Sequence, residues 1–254
     1  MLDSTELRAE IAVIGGTGLY QLEGVEELNR LQLSTRWGEP SSEIIMTRLA
    51  DRNVAFLGRH GLQHNIPPHR VNYRANLWAL KECGVKRIIA VAAVGGISEN
   101  ASPETLMVPD QLIDYTYGRE QTYFADDLDE VTHIDFTEPY TESLRQQLLQ
   151  SASKLHIPCE AKGVYAATQG PRLETAAEIE RLKRDGAHIV GMTGMPEAAL
   201  AREIGLEYAC MALVVNWAAG CAGTHVIDHE EMQSVIDKGM IRLKSVLIDS
   251  LEQL

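Results

Sequence analysis

The sequence lacks several features, and each absence excludes a class of protein. No apolar run reaches the ~18 residues of a membrane-spanning helix, and the first ten residues do not resemble a secretory signal. We therefore expect a cytoplasmic protein without a membrane partner. Its four cysteines, Cys83, Cys159, Cys210 and Cys221, show no paired metal-ligand spacing, so we expect no metal site. Cys83 and Cys210 lie in apolar patterns, which predicts buried free thiols.

Basic residues are scarce relative to acidic ones. The chain has 23 Lys and Arg against 36 Asp and Glu, a formal net charge of −13. This balance argues against nucleic acid as a partner, because the phosphate backbone is bound mainly through positive charge. It also implies that an anionic ligand must be held by positive groups concentrated at one place.

No linker, internal repeat or low-complexity tract interrupts the 254 residues, so we expect one domain over residues 1–254. Hydrophobic residues make up 45% of the chain, enough for a substantial core. Strand-like and helix-like segments alternate, which predicts an α/β fold. Arg87–Val94 is a nearly continuous apolar run, typical of a central parallel strand buried on both faces.

Residues 188–218 carry the most informative pattern. A strand at 188–192 leads into Thr193, a helix is expected from Pro196 to Gly205, and a second strand at 208–215 ends at Asn216. We interpret this as a βαβ unit that places a hydroxyl and an amide at the carboxyl ends of two strands, where open α/β sheets bind ligands. The alternative is a structural unit with polar residues at its turns.

A glycine-rich turn, Gly15-Gly-Thr-Gly18, follows the strand expected at Ile11–Ile14. Glycine lets backbone N–H groups approach an anion, and Thr17 adds a hydroxyl. A dinucleotide fingerprint would need another glycine where Gln21 stands, so the turn is a weak signal for an NAD-dependent oxidoreductase and a better one for phosphate. An ordinary tight turn is the alternative.

The densest basic cluster begins with Arg59 and His60, and His64, His69 and Arg70 follow closely. The planar guanidinium of arginine matches phosphate oxygens, and histidine can donate beside it. This pattern predicts an oxyanion site, with a solvated basic loop as the alternative.

Other polar positions are less decisive. Gly95-Gly96 is expected to form a turn that offers backbone amides, because Ala92 and Ala93 carry no polar side chain. Glu174 precedes a helix with capping-box spacing at Thr175–Glu178, so its carboxylate either interacts with the helix dipole or binds a ligand N–H.

Further segments complete the prediction. Residues 106–115 are expected to form one strand. Residues 117–135, which include His133, are expected to form a surface loop or lid, and a helix is expected to begin at Pro139. An amphipathic helix is expected from Glu230 on, with His229 just ahead of it.

Together, the glycine turn, the Arg-His pair, Gln169-Gly-Pro-Arg-Leu-Glu-Thr-Ala176 and the Met-Thr…Pro-Glu…Asn pattern resemble the trimeric purine nucleoside phosphorylase and methylthioadenosine phosphorylase family. The resemblance covers nearly the whole chain. It implies a single-domain α/β fold with a central mixed, mostly parallel sheet flanked by helices, and a homotrimer. It also implies a pentosyltransferase that splits a nucleoside with inorganic phosphate as co-substrate, without a metal or other cofactor.

The resemblance also assigns site residues. The phosphate site would comprise Thr17, Arg59, His60, the backbone around Ala92 and Ala93, and Thr193, and family members often carry a hydroxyl where Ala92 stands. Substrate would be lined by Met192, Leu173, Glu174, Asn216, Trp217, Ala218, His64 and His229, with Asn216 and His60 taking part in the chemistry.

Asn216 and Ala218 bear on the choice of purine, because adenine-type members resemble this chain but carry aspartates at both positions. A neutral amide can donate to N7 of a departing base and also meet a 6-oxo group. Glu174 can accept the N1–H of a 6-oxopurine. These residues therefore indicate a 6-oxopurine. The overall pattern is nearer the methylthio branch of the family, so the resemblance implies S-methyl-5′-thioinosine as substrate, giving hypoxanthine and 5-methylthioribose 1-phosphate.

Three alternatives stay open at this point. His229 resembles a histidine that binds a 5′-hydroxyl in the family, which keeps inosine and guanosine possible as substrates. Methylthioadenosine is the next possibility. A non-catalytic nucleoside-binding module is an alternative of a different class.

Overall fold

The computed structural model describes residues 8–16, 25–49, 51–126, 130–223 and 229–254, without the side chains of His229 and Glu231. The strands are β1 Ile11–Gly15, β2 Val25–Leu31, β3 Ile44–Leu49, β4 Arg52–Gly58, β5 Arg87–Gly96, β6 Leu106–Met107, β7 Gln111–Asp114, β8 Cys159–Glu160, β9 Val164–Ala167, β10 Ile189–Gly191 and β11 Glu207–Trp217. The helices are α1 Tyr73–Glu82, α2 Glu142–Lys154, α3 Ala176–Arg184, α4 Gly194–Glu203 and α5 His229–Gln253.

These strands form one mixed sheet in the order β2-β3-β4-β1-β5-β10-β9-β7, with β11 paired to β5 and β6, and β8 paired to β6. Among the described strand pairs, six are parallel and four antiparallel. The predicted α/β fold with a mixed, mostly parallel sheet is therefore confirmed.

Strand β5 lies at the centre of this sheet, and helices cover both of its faces. Ile88 and Ala90 pack into the core layer beneath α1 and α4, whereas Ile89 and Val91 pack into the layer beneath α2 and α5. Since successive side chains of a strand point to opposite faces, this alternation requires an apolar residue at nearly every position. The predicted burial of this strand on both faces is confirmed.

Two local predictions need correction. Residues 106–115 form two short strands instead of one, β6 against β11 and β7 against β9, separated by a segment that contains Pro109. Proline lacks the N–H that a continuous ladder needs. Helix α2 begins at Glu142, after Thr141, and not at Pro139. Strand β2 was missed because its charged side chains lie at a partly exposed sheet edge.

Other local predictions are confirmed. Thr175 and Glu178 form the reciprocal capping box at the start of α3, and α5 is the expected terminal helix. Cys83 and Cys210 are buried free thiols. Within the described ranges, no helix combines the length and the apolar character that crossing a membrane would need.

Candidate active site

A gap along one edge of β5 defines the candidate site. On this edge β1 pairs with β5 as far as Ala90, and β10 joins only at Gly95. Within the described part of the chain, no strand covers residues 91–94 on this edge, while β11 pairs with β5 throughout on the other. Such a crevice between strands that diverge is where open α/β sheets bind ligands.

Backbone groups of β5 point into this gap. The Val91 carbonyl accepts a hydrogen bond from Arg59 Nη1 at 3.0 Å, and the Ile97 N–H donates to His188 O at 2.9 Å, both on the gapped edge. In a strand, the backbone N–H and C=O groups of successive residues point to opposite edges. Since those of Val91 and Ile97 point to the gapped edge, the N–H and C=O of Ala93 also face the gap, whereas those of Ala92 face β11. Ala93 is exposed although its neighbours in the strand are buried. Its amide is therefore available to a ligand.

Arg59 lies at one end of the gap, directly after β4. Its backbone N–H donates to Gly15 O at 3.0 Å, which holds it beside the end of β1. The side chain is only 2% exposed, and Nε and Nη2 both donate to the Glu197 carboxylate at 2.7 Å. A guanidinium has five N–H groups, so after the bond to Val91 O two remain, one on Nη1 and one on Nη2. These two can bind one oxyanion.

Glu197 neutralises the charge of Arg59. It lies on α4, is buried, and also accepts a hydrogen bond from the Tyr208 hydroxyl at 2.8 Å. Burial alone would lower the pKa of Arg59, but the attraction and hydrogen bonds of Glu197 outweigh it, and the pKa is raised. The pair carries no net charge, which differs from the expected concentration of positive charge. Directed hydrogen bonds are the means of holding an anion here.

His60 follows Arg59 and is half-buried. Its Nδ1 lies 2.8 Å from Ile66 O, which fixes Nδ1 as the protonated nitrogen. Burial, and then the nearby charge of Arg59, lower the pKa of His60 to about 4. The ring is therefore neutral at pH 7 and its Nε2 is an acceptor. Nε2 can accept a hydrogen bond from a protonated phosphate oxygen. The sequence had suggested instead that His60 donates to the anion.

The lowered pKa of His60 predicts a pH effect on stability. The unfolded chain takes up a proton on this residue below its ordinary pKa of 6.5, while the folded protein does so only near pH 4. The stability contributed by the neutral ring is thus full above pH 6.5 and is lost as the pH falls to about 4. We expect His60→Gln to flatten the curve of unfolding free energy against pH over that range, measured by urea titration.

An equally steep curve for His60→Gln would contradict the assignment of a neutral, buried ring.

Thr193 and Met192 reach the gap from β10. The predicted βαβ unit is wrong in orientation, because β10 runs antiparallel to β5 while β11 runs parallel to it. For that reason the chain after Val190 continues toward the middle of β5, on the side of Ala92 and Ala93. Thr193 is buried, and its Oγ1 lies 3.4 Å from the Tyr165 hydroxyl.

Gly191 allows this approach of β10 to Tyr165. A Cβ at position 191 would lie 2.4 Å from the Tyr165 hydroxyl oxygen, so no larger residue fits without a shift. The Sδ of Met192 would in turn lie 2.4 Å from a Cβ at Gly170, which places the Met192 side chain against the loop between β9 and α3.

Asn216 lies inside β11 instead of after it, on the edge of β5 opposite the gap. It pairs with Gly95 beyond a bulge at Val215, and its Nδ2 donates to Trp217 O at 2.7 Å. Trp217 pairs with Gly96, and the buried Ala218 donates its N–H to Gly96 O at 2.8 Å. One N–H of the Asn216 amide remains for a ligand.

Gly95 and Gly96 lie within β5 and do not form the predicted turn. Gly96 is required for packing, since a Cβ there would lie 1.8 Å from Ala101 O.

Glu174 belongs to the loop between β9 and α3. Its Oε1 accepts a hydrogen bond from Thr168 Oγ1 at 2.5 Å, so the carboxylate is tied to the end of β9. Leu173 beside it is 46% exposed. Glu174 also directly precedes Thr175, the N-cap residue of α3.

The register of β5 gives the spacing along this strand between the residues that contact Arg59 and Asn216. Val91, which contacts Arg59, and Gly95, which pairs with Asn216, are four residues apart, about 13 Å at the rise of ~3.3 Å per residue. Arg59 therefore contacts β5 on its gapped edge and Asn216 on the edge paired with β11, at positions whose separation along the strand a phosphate and a nucleoside in contact can span.

Some predicted residues fall outside the described ranges. Thr17, Gln21 and the side chain of His229 fall outside the described residues. His64 is exposed, and its ring lies 4.8 Å from that of His60. Among the described residues, no group of three or more His, Cys, Asp or Glu side chains is arranged to hold a metal ion.

Two residues at the site were missed from the sequence, Glu197 and Arg119. A carboxylate inside the apolar stretch 194–201 was a signal for Glu197, since a buried acid needs a cationic partner. Arg119 lay in a polar segment expected to be a surface loop, and no periodic pattern distinguishes it.

Several known proteins are similar to this chain in sequence and in fold. The phosphorylase superfamily matches residues 10–252. A probable S-methyl-5′-thioinosine phosphorylase of Pseudomonas syringae pv. tomato is 56% identical over 236 residues, covering 93% of this chain and 96% of that protein. A 6-oxopurine nucleoside phosphorylase of Pyrococcus furiosus is 42% identical over 233 residues, covering 90% and 86%.

Among solved structures, a methylthioadenosine phosphorylase from an antarctic soil metagenomic library superposes with a TM-score of 0.92 at 34% identity, covering 97% of this chain and 86% of that one. The match to the superfamily spans nearly the whole sequence, and the gapped sheet lies within it. The chain therefore belongs to the phosphorylase superfamily.

Proposed function

We propose that this protein is a pentosyltransferase that cleaves the 6-oxopurine nucleoside S-methyl-5′-thioinosine with inorganic phosphate, yielding hypoxanthine and 5-methylthioribose 1-phosphate. The observation that carries the proposal is the placement of two groups along β5: the Arg59 guanidinium, with two free N–H groups, contacts Val91, and Asn216, with one free amide N–H, pairs with Gly95 four residues further on. The relative at 56% identity supports the same substrate.

Phosphate binds at the Arg59 end. The two free N–H groups of the guanidinium, the Ala93 amide and the Thr193 hydroxyl donate to its oxygens. Neutral His60 accepts the hydrogen of the protonated oxygen through Nε2, which orients the anion. The bound phosphate then places one oxygen against C1′ of the sugar, on the face opposite the base.

The reaction exchanges one bond for another. The C1′–N9 bond breaks, its electron pair leaves with the purine, and a C1′–O bond to phosphate forms. Positive charge develops on the sugar, where the phosphate oxygens stabilise it. Negative charge develops on the base, and the free N–H of the Asn216 amide donates to N7. Glu174 accepts the N1–H that a 6-oxopurine carries and adenine lacks.

The methylthio group is favoured by an apolar surface near Ala93. Alternation along β5 directs the Ala93 side chain to the face covered by α2 and α5. Leu62, Met232 and Ile236 pack, partly buried, against the core of that same face. A methylthio group can bury apolar area against such side chains, whereas a 5′-hydroxyl needs a polar partner.

Base release from four nucleosides tests the proposal. S-methyl-5′-thioinosine, inosine, guanosine and methylthioadenosine are each incubated with the protein, with and without phosphate, and the free base is quantified by chromatography. We expect release that requires phosphate and the highest kcat/KM for S-methyl-5′-thioinosine. Binding without any base release would instead favour a nucleoside-binding module.

A general inosine and guanosine phosphorylase is the second candidate. It is favoured by the similarity to the 6-oxopurine nucleoside phosphorylase of Pyrococcus furiosus and by His229 at the start of α5. Equal or greater kcat/KM for inosine would establish it over the methylthio substrate. A preference for methylthioadenosine would overturn the assignment of a 6-oxopurine.

A homotrimer belongs to the same proposal. Two large apolar side chains of the segment after β7 are strongly exposed in the single chain, Tyr117 at 70% and Val131 at 71%. Contact with a second copy would remove both from water, in keeping with the assembly that the family resemblance implies.

A further inference from the structure

Arg119 binds an unusual number of backbone oxygens at the candidate site. Its guanidinium donates to the carbonyl of Met192, in the loop after β10, at 2.9 Å and to that of Met195, at the start of α4, at 2.6 Å. It also donates to the carbonyls of Thr168 at 3.1 Å and Gln169 at 2.8 Å in the loop after β9. Two side-chain oxygens complete the set, Gln169 Oε1 at 3.2 Å and the Tyr73 hydroxyl at 3.2 Å.

These two loops carry the residues that face substrate. The loop after β9 leads to Glu174, whose carboxylate is tied to Thr168. The loop after β10 contains Met192 and Thr193. Helix α1, through Tyr73, is the third element that Arg119 contacts. One planar side chain therefore fixes the distance between the base-facing and the sugar-facing loops.

The bonding of Arg119 differs from that of Arg59 and Arg145. Arg59 and Arg145 each pair with a carboxylate, Glu197 and Glu142. Among the described residues no carboxylate forms an ion pair with Arg119, and its partners are neutral oxygens. The five N–H groups of a guanidinium lie in one plane at fixed angles, so they can reach several carbonyls that a single ammonium cannot.

We propose that Arg119 is a positioning residue that holds the loops after β9 and β10 at the separation needed to bind a nucleoside. The proposal rests on the proposed function for its kinetic consequence. Arg119 does not touch the reacting atoms, and it makes no described contact with the Arg59–Glu197 pair. Of the groups proposed to bind phosphate, only Thr193 lies in a segment that Arg119 contacts, so loss of Arg119 should impair the use of nucleoside more than the use of phosphate.

Arg119→Ala tests this role by steady-state kinetics. A displacement of ~1 Å in a binding group can cost about 10²-fold in rate, and we expect a loss of that order in kcat/KM for the nucleoside. The KM for phosphate should rise by a smaller factor, because Arg59 and the Ala93 amide are not held by Arg119. Arg119→Lys keeps the charge but cannot span both loops, so it should recover little of the loss. The exposed Arg184 on α3 provides the matched control, Arg184→Ala, with unchanged kinetics.

Chemical rescue separates positioning from general stability. Added methylguanidinium should restore kcat/KM in Arg119→Ala and not in Arg119→Lys, because only the alanine variant leaves a vacant guanidinium site. Equal losses for nucleoside and phosphate, or no rescue at matched thermal stability, would overturn the proposal. If Arg119→Ala does not fold, the same kinetic split is required of Arg119→Lys, and its absence overturns the proposal.

Binding of hypoxanthine by calorimetry keeps this test independent of catalysis. Arg119→Ala should weaken hypoxanthine binding at least tenfold relative to Arg184→Ala. If the wild-type protein binds hypoxanthine but releases no base from any nucleoside, the proposed function fails while this comparison still decides the role of Arg119. Unchanged hypoxanthine affinity in Arg119→Ala would contradict the positioning role.

Discussion

Replacing Glu197 by alanine should destabilise the protein by about 3–5 kcal/mol, because it leaves the charge of Arg59 buried without a partner. Both members of the pair are almost fully buried, and two hydrogen bonds of 2.7 Å join them. The variant should also bind phosphate poorly. Without the carboxylate, the guanidinium loses the contact that aims its two remaining N–H groups into the gap. We expect turnover to fall by about 10²–10³-fold.

A double variant distinguishes stability from function. Replacing a buried ion pair by apolar side chains of similar volume is often neutral or stabilising. Arg59→Met combined with Glu197→Leu should thus regain most of the unfolding free energy, measured by urea titration, and remain inactive. Glu207→Gln breaks a half-exposed pair with Arg87 and should cost at most about 1 kcal/mol. Near-normal stability of Glu197→Ala would refute the importance of the buried pair.

Asn216→Ala should lower turnover of the best nucleoside by about 10²–10³-fold, equivalent to about 3–4 kcal/mol of transition-state stabilisation. The amide is held by its bond to Trp217 O, and its second N–H is the group available to N7 of the leaving base. Stability should change by only about 1 kcal/mol, since one hydrogen bond of a half-buried side chain is lost.

Asn216→Asp and Asn100→Ala complete this test. The aspartate is an acceptor when ionised, so it should impair 6-oxopurine release and raise the relative kcat/KM for methylthioadenosine. Asn100 is exposed and remote from β11 in the sequence, and Asn100→Ala should be as active as the wild type. Near-full turnover of Asn216→Ala on its best nucleoside would show that the role given to the amide is wrong.

The sequence predicts the central part of this fold well because burial leaves a clear pattern there. Residues 88–94 are apolar without interruption, and they lie in β5, from which the candidate site is built. The capping box at Thr175 and the terminal helix α5, with its periodic apolar positions, could be predicted equally well. In each case a local physical requirement, either burial or an unpaired helix terminus, restricts the residue types.

Sheet order and charge pairing could not be predicted in the same way. Nothing in residues 188–215 shows that β10 runs antiparallel to β5, because strand direction depends on which strand it meets. Arg59 and Glu197 are 138 residues apart, so the neutralisation of the expected positive cluster depends on tertiary contact alone. The role of Arg119 could not be predicted either. Its partners include backbone carbonyl groups, which every residue possesses, so no residue type marks them in the sequence.

A crystal structure of the protein with inorganic phosphate and hypoxanthine bound is the most direct measurement. We predict phosphate at the free N–H groups of Arg59 and at the Ala93 amide, with the purine edge against Asn216 and Glu174, and with room between them for one sugar. Phosphate and base in separate cavities, or a base that contacts neither side chain, would contradict a single phosphorolysis site along β5.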